Sequence, residues 1–160
     1  MKFNEVDLVM GLFKQNRKLP TPKFSPFKKG VPGSEISSSK MVSGDYIRGF
    51  SKGSDLIKEG KYEEAEKILI TTAKRFKDDN FTAVLILADA LFLQEKFQEA
   101  EELYRACVKL MPVIAHARYG MALVLKKNGK NEEANVHEEI VKKLGDLPIG
   151  TKIPDYLPSL

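Results

Sequence analysis

Apolar positions recur at three- and four-residue steps through residues 97–110. Phe97, Ala100, Leu103, Tyr104, Cys107 and Leu110 fall on one helical face. Glu95, Glu99, Glu101 and Glu102 lie on or near the other face. Just before this stretch, residues 81–93 are nearly apolar all round, the pattern of a helix buried on several sides. The same alternation surrounds three similar strings, GKYEEA at 60–65, EKFQEA at 95–100 and GKNEEA at 129–134, whose starts lie 35 and 34 residues apart. Each string ends in a small residue (Ala65, Ala100, Ala134), which lets two antiparallel helices approach closely. Gly60 and Gly129 stand where a first helix must end and reverse, and Pro112 closes the middle unit. The pattern predicts an all-α domain over 46–148, built from hairpins at about 46–79, 81–114 and 115–148. One hairpin cannot bury its own apolar faces, so stacking is required.

The middle unit carries Val84, Leu87, Ala88 and Leu91, followed by Ala100, Tyr104 and Pro112. This spacing resembles the tetratricopeptide repeat, W-x2-L-G-x2-Y, then A-x3-F, then P. Val84, Ala88 and Leu91 replace its tryptophan, glycine and first tyrosine with residues of apolar or small character. The third unit matches through Met121, Ala122, Leu125 and Ala134, and the first through Gly53, Leu56, Ala65 and Leu69. The resemblance implies a short right-handed α-solenoid whose first helices line a concave groove that holds another protein. Aligned on the family, the first unit would present Ile47, Phe50, Ser54, Ile57 and Lys58 to that groove. The second would present Thr82, Leu85, Asp89, Phe92 and Leu93, and the third His116, Tyr119, Leu123, Lys126 and Lys127. This largely apolar set with a basic edge suits an amphipathic helix or an extended peptide with hydrophobic anchors. Family members that grip a chaperone's terminal carboxylate use a clamp of lysines, asparagines and arginine. Phe50, Ser54, His116 and Gly120 occupy the aligned sites here, so that clamp is not expected.

Charge separates the repeats from what precedes them. Residues 46–160 hold 18 Lys/Arg and 18 Asp/Glu, whereas residues 1–45 hold 8 basic and 4 acidic residues and account for the net +4. Residues 1–45 are expected to form a basic, non-globular arm. Its residues 3–15 read as a short amphipathic helix with Phe3, Val6, Met10 and Phe13 on one face and Val9 alongside. A Pro- and Lys-rich extended stretch follows, with Phe24 and Phe27 set among lysines. Helices this short are marginal alone, so the segment should dock on something. Three readings stand: the arm folds back on its own repeats, it wraps a neighbouring subunit, or residues 1–30 touch anionic lipid or nucleic acid. The neutral repeat body argues against nucleic acid as the groove's ligand, since phosphate contacts need Lys and Arg. Residues 149–160 are expected as an extended tail, because Pro154 and Pro158 break any helix. Ile149, Ile153, Tyr156 and Leu157 would cover the last hairpin or bind a partner. Glu138 stands where Leu69 and Tyr104 stand in the other units, so the last helix should be partly solvated and act as its own cap.

Catalytic chemistry finds no support in the sequence. His116 and His137 fall on different predicted helices with no cysteine pair nearby, and no phosphate-cradling glycine string occurs. The adjacent glutamates fit solvated helix faces, and Cys107 reads as a small core residue. No metal or cofactor is expected. Neither a transmembrane stretch nor a secretory signal is recognisable, and a lone cysteine fits a reducing compartment, so a cytoplasmic, complex- or membrane-associated protein is expected. The functional expectation is a non-enzymatic scaffold or adaptor, a subunit or assembly factor of a larger complex. A small chaperone of a secretion-type client and a peripheral membrane protein held by the arm are the alternatives. Open-ended arrays can also stack, which allows a homo-oligomer.

Overall fold

The structure, a computed structural model, describes residues 6–7, 9–11, 44–76, 80–145 and 152–160. Among these, six long helices follow one another: α1 (Gly44–Lys58), α2 (Tyr62–Arg75), α3 (Phe81–Leu93), α4 (Phe97–Leu110), α5 (Ala115–Lys127) and α6 (Asn131–Gly145). They pair as three hairpins, each second helix packing on the next first helix. The first helices also touch one another, α1 to α3 and α3 to α5, with no comparable contact linking α2 to α4 or α4 to α6. Helices that crowd on one side and spread on the other curve the array, so α1, α3 and α5 form its concave side.

Each hairpin turns by the same device. The amide of residue 60, 95 or 129 bonds the carbonyl three residues back, and the next amide bonds the carbonyl five residues back: Lys61 to Leu56, Lys96 to Leu91, Lys130 to Leu125, each 2.9 Å. This closure needs a left-handed residue. Gly60 and Gly129 supply it at φ 76°, and Glu95 adopts it at φ 61° despite its side chain. Glycine has a different use inside the helices. A Cβ on Gly120 would lie 2.1 Å from the Tyr104 ring, and one on Gly53 would lie 2.5 Å from Leu69. The bare backbone at these points lets neighbouring helices close on bulky side chains.

The units are stitched by a repeated polar contact. Glu66 on α2 accepts bonds from Gln94 and Lys96 in the next turn, both at 2.8 Å. Glu101, one period later on α4, accepts from Asn128 at 2.6 Å and Lys130 at 2.7 Å, and also from Arg105 at 2.8 Å. Burial alone would raise the Glu101 pKa, but the bonds from Lys130, Arg105 and Asn128 outweigh it and hold the carboxyl at about 2.

The core runs continuously from α1 to α5, with Tyr104, Leu69, Leu87, Leu91 and Leu125 fully buried. Val6, Val9 and Met10 belong to the same buried cluster. The arm expected to be non-globular therefore contributes Val6, Val9 and Met10, on helical residues 6–7 and 9–11, to the fold, as the reading in which it folds back on its own repeats would have it. The physical reason is the weakness of an isolated short helix, which burial of these side chains relieves. The remaining arm residues, Phe3, Phe13, Phe24 and Phe27 among them, lie outside the described residues. At the other end, Ala134 is the one buried residue of α6.

Candidate functional site: the concave face

α3 is the floor of the concave side. Ten of its thirteen residues are buried, and Asp89 is the single charge among them. A buried carboxylate must be paired or hydrogen-bonded, and Asp89, at 0% exposure, is surrounded by donors. The Tyr104 hydroxyl donates to Oδ1 at 2.6 Å, and His116 Nε2 lies 3.0 Å from Oδ1 and 2.8 Å from Oδ2. The Tyr156 hydroxyl donates to Oδ2 at 2.8 Å. One carboxylate thus joins the second helix of the middle unit, the first helix of the third and the tail. Burial, then the Asp89 charge and its hydrogen bond, push the Tyr104 phenol well above its ordinary pKa, and the same causes raise Tyr156. Both stay protonated and keep donating. Burial and then Asp89 also raise the pKa of the Cys107 thiol, which remains an un-ionised core residue.

The tail crosses this face without becoming a helix. Lys152, Pro154, Asp155 and Tyr156 border a shallow depression of about 320 Å³ against Ser54 and Lys58 of α1. Tyr156 reaches Asp89 on α3 and also meets the Ser54 side chain. Leu157 is buried in the core cluster, and its amide turns back to the Pro154 carbonyl at 3.2 Å. Beyond it, the Tyr119 hydroxyl of α5 donates to the Pro158 carbonyl at 2.7 Å. Residues 152–158 thus touch the first helix of every unit.

The residues aligned to the groove divide into two sets. Ile57, Leu85, Asp89, Phe92, His116 and Leu123 are buried within the chain's own packing. Phe50 meets Tyr46 edge-on at 5.2 Å between centroids, and Leu93 packs partly buried on the core. Ile47, Ser54, Lys58, Thr82, Tyr119, Lys126 and Lys127 keep exposed surface. Lys126 is ion-paired with Glu138 on α6 and is turned toward the last hairpin. What stands accessible is therefore a polar and aromatic rim over an apolar floor that the chain already fills.

Tyr104 and Tyr156 were not singled out for this face by sequence reasoning. The available signal was Asp89, a lone acid in an apolar helix, which must find donors wherever the fold places them. Among the described residues, no group of three or more His, Cys, Asp or Glu side chains is placed to hold a metal ion, and no helix is long and apolar enough to cross a membrane.

A family model described as tetratricopeptide repeat matches residues 50–112. No curated protein sequence matches the chain. Among solved structures, the type III secretion translocator chaperone SycD of Yersinia enterocolitica is similar at a TM-score of 0.60 and 19% identity, over 75% of this chain and 83% of that one. A chain of the CopN–Scc3 complex aligns at 0.57 and 14% identity, over 92% of both chains. A MamA point mutant aligns at 0.54 and 18% identity, over 89% of this chain and 98% of that one. At these identities the likeness is one of fold.

Proposed function

We propose that this chain, which a tetratricopeptide repeat model matches over residues 50–112, works as a non-enzymatic interaction module that holds an extended or helical segment of another protein along the concave face. The observation that carries this reading is the curvature of the array. The first helices crowd together, and among the described residues no second helix of the array lies between them, so their common face is left to the tail that crosses it. Ile47, Ser54, Thr82 and Tyr119 keep exposed surface along it, one or more from each unit. A partner segment lying there would meet all three units at once, which suits recognition by spaced anchors.

The main rival within the same class is a small chaperone of a secretion-type client that would use this groove; SycD, similar in fold, is named a type III secretion translocator chaperone. Both readings need the concave face, and they differ in whether the partner is stable when released. A peripheral membrane protein held by residues 1–30 is favoured less, because Val6, Val9 and Met10 are spent on the chain's own core.

Site-specific photocrosslinking in the native host tests the reading. A benzoyl-phenylalanine at Thr82 or Ser54 should trap one protein species, and the same group at Val136 on the outer side of α6 should not. Equal trapping from both sides, or none from the concave side, would remove the groove as the binding face.

A further inference from the structure

We propose that residues 152–160 are an internal ligand of the concave face, and that the partner segment this face takes has the same chemistry. That segment would be extended, with a tyrosine hydroxyl for Asp89, an aliphatic side chain immediately after it, and a backbone carbonyl two positions beyond the tyrosine for Tyr119. The inference rests on the reading that the concave face holds a protein, and it adds what that protein must offer.

The seated segment defines the chemistry. Tyr156 donates to Asp89 at 2.8 Å, Leu157 is 8% exposed, and the Pro158 carbonyl accepts from Tyr119 at 2.7 Å. Pro154 and Pro158 bracket these anchors and keep the backbone from becoming helical. Asp89 rewards a hydroxyl specifically, because a fully buried carboxylate that loses a donor retains its desolvation cost. A phenylalanine would fill the same volume and leave that oxygen with one partner fewer.

The tail is held by few contacts. Lys152, Asp155, Pro158, Ser159 and Leu160 are exposed, so buried Leu157 and partly buried Ile153, Pro154 and Tyr156 carry the apolar burial. The entropy lost in ordering nine residues opposes that gain, leaving a segment that a competing segment can displace. A tethered segment competes at an effective concentration on the order of millimolar. A free segment with a dissociation constant of about 10–100 µM should therefore bind the full chain about tenfold to a hundredfold more weakly than a chain whose own segment has been released.

The test uses the full-length chain in three forms, unchanged, Leu157→Asp and Tyr156→Phe, with a fluorescein-labelled, amidated peptide of sequence KIPDYLPSL as probe. Fluorescence anisotropy should show Leu157→Asp binding the probe at least about tenfold more tightly than the unchanged chain, with Tyr156→Phe between them. On the Leu157→Asp chain, the peptide with phenylalanine in place of tyrosine should bind at least about tenfold more weakly than KIPDYLPSL itself. Equal affinities for the unchanged and released chains overturn the inference. So does loss of cooperative melting in both tail variants, which makes the tail part of the fold. A dimer that becomes monomeric in Leu157→Asp, by sedimentation, also overturns it, because the tail is then exchanged between copies. Photocrosslinking from Thr82 is independent of all of these outcomes, so the binding role of the face survives or fails separately.

Discussion

α3 and α6 belong to units of the same repeat type and meet opposite fates. α3 is buried along nearly its whole length, and α6 buries only Ala134. In a stack, an inner helix is covered by its hairpin mate, by the neighbouring units and, here, by the tail. The last outer helix is covered on one side. The residues follow this difference. α3 carries one acid and compensates it with two tyrosines and a histidine, whereas α6 carries several acids, and its Glu138 pairs with exposed Lys126. A charge inside the array is a fixed structural element, whereas at its end Glu138 is drawn only partly into the packing and Glu132 and Glu139 stay in solvent.

The largest effect should come from the buried charge. Asp89→Ala leaves Tyr104 and His116 without their shared acceptor inside the core, and should cost about 3–5 kcal/mol in urea unfolding. A cost below about 1 kcal/mol would mean that the middle of the array relaxes as freely as its end, and would break the comparison. Next is the stitch between the middle and last units. The folded pKa of Glu101 is depressed to about 2, so its contribution is present above the ordinary carboxylate range and is lost as pH falls through about 2. Glu101→Gln should destabilise by on the order of 2–3 kcal/mol at pH 7, and the gap to the unchanged chain should shrink steadily between pH 4 and pH 2. A gap that stays constant over that range would assign the loss to packing rather than charge. A gain should follow at the middle turn. Glu95→Gly relieves the left-handed strain and should raise stability by about 1 kcal/mol. The smallest effect belongs to the solvent side of α6: exposed Glu139→Ala should change stability by less than about 1 kcal/mol. A loss comparable to that of Asp89→Ala would erase the distinction between the two helices.

The hairpins were legible because three strings with one period force three equal turns, and the structure closes all three with the same bonds. The solvated character of α6 was legible too, although Glu138, the residue that signalled it, is itself only 17% exposed and paired with Lys126. Asp89 was assigned to the groove by its register, but register says which side a residue faces and not what comes to cover it. Its tail partner lies 67 residues further along the chain, a distance over which no periodicity speaks. Glu95 hid its left-handed turn because glutamate does not mark one, and only its counterparts Gly60 and Gly129 hinted at the conformation. The two stitching glutamates recur at the repeat spacing and were readable in principle. Within one unit they look like part of a solvated face, because the lysines they meet sit in another unit.

Those stitches give the array a direction of growth. Each internal joint needs a glutamate on one unit and an amide and a lysine in the turn of the next, and the middle unit owns both halves. A tandem duplication of that unit would supply its own joints on either side. The third unit has the amide and the lysine in its turn but carries Asn135 where Glu66 and Glu101 stand. An asparagine can still accept a hydrogen bond, but it offers an incoming lysine no charge, and charge-assisted bonds are roughly twice as strong as neutral ones. A unit added after α6 would therefore arrive at a joint with half its grip missing. Genetic insertion of whole units should accordingly be accommodated within the array and held less firmly at its distal end, where Asn135 offers an incoming lysine no charge.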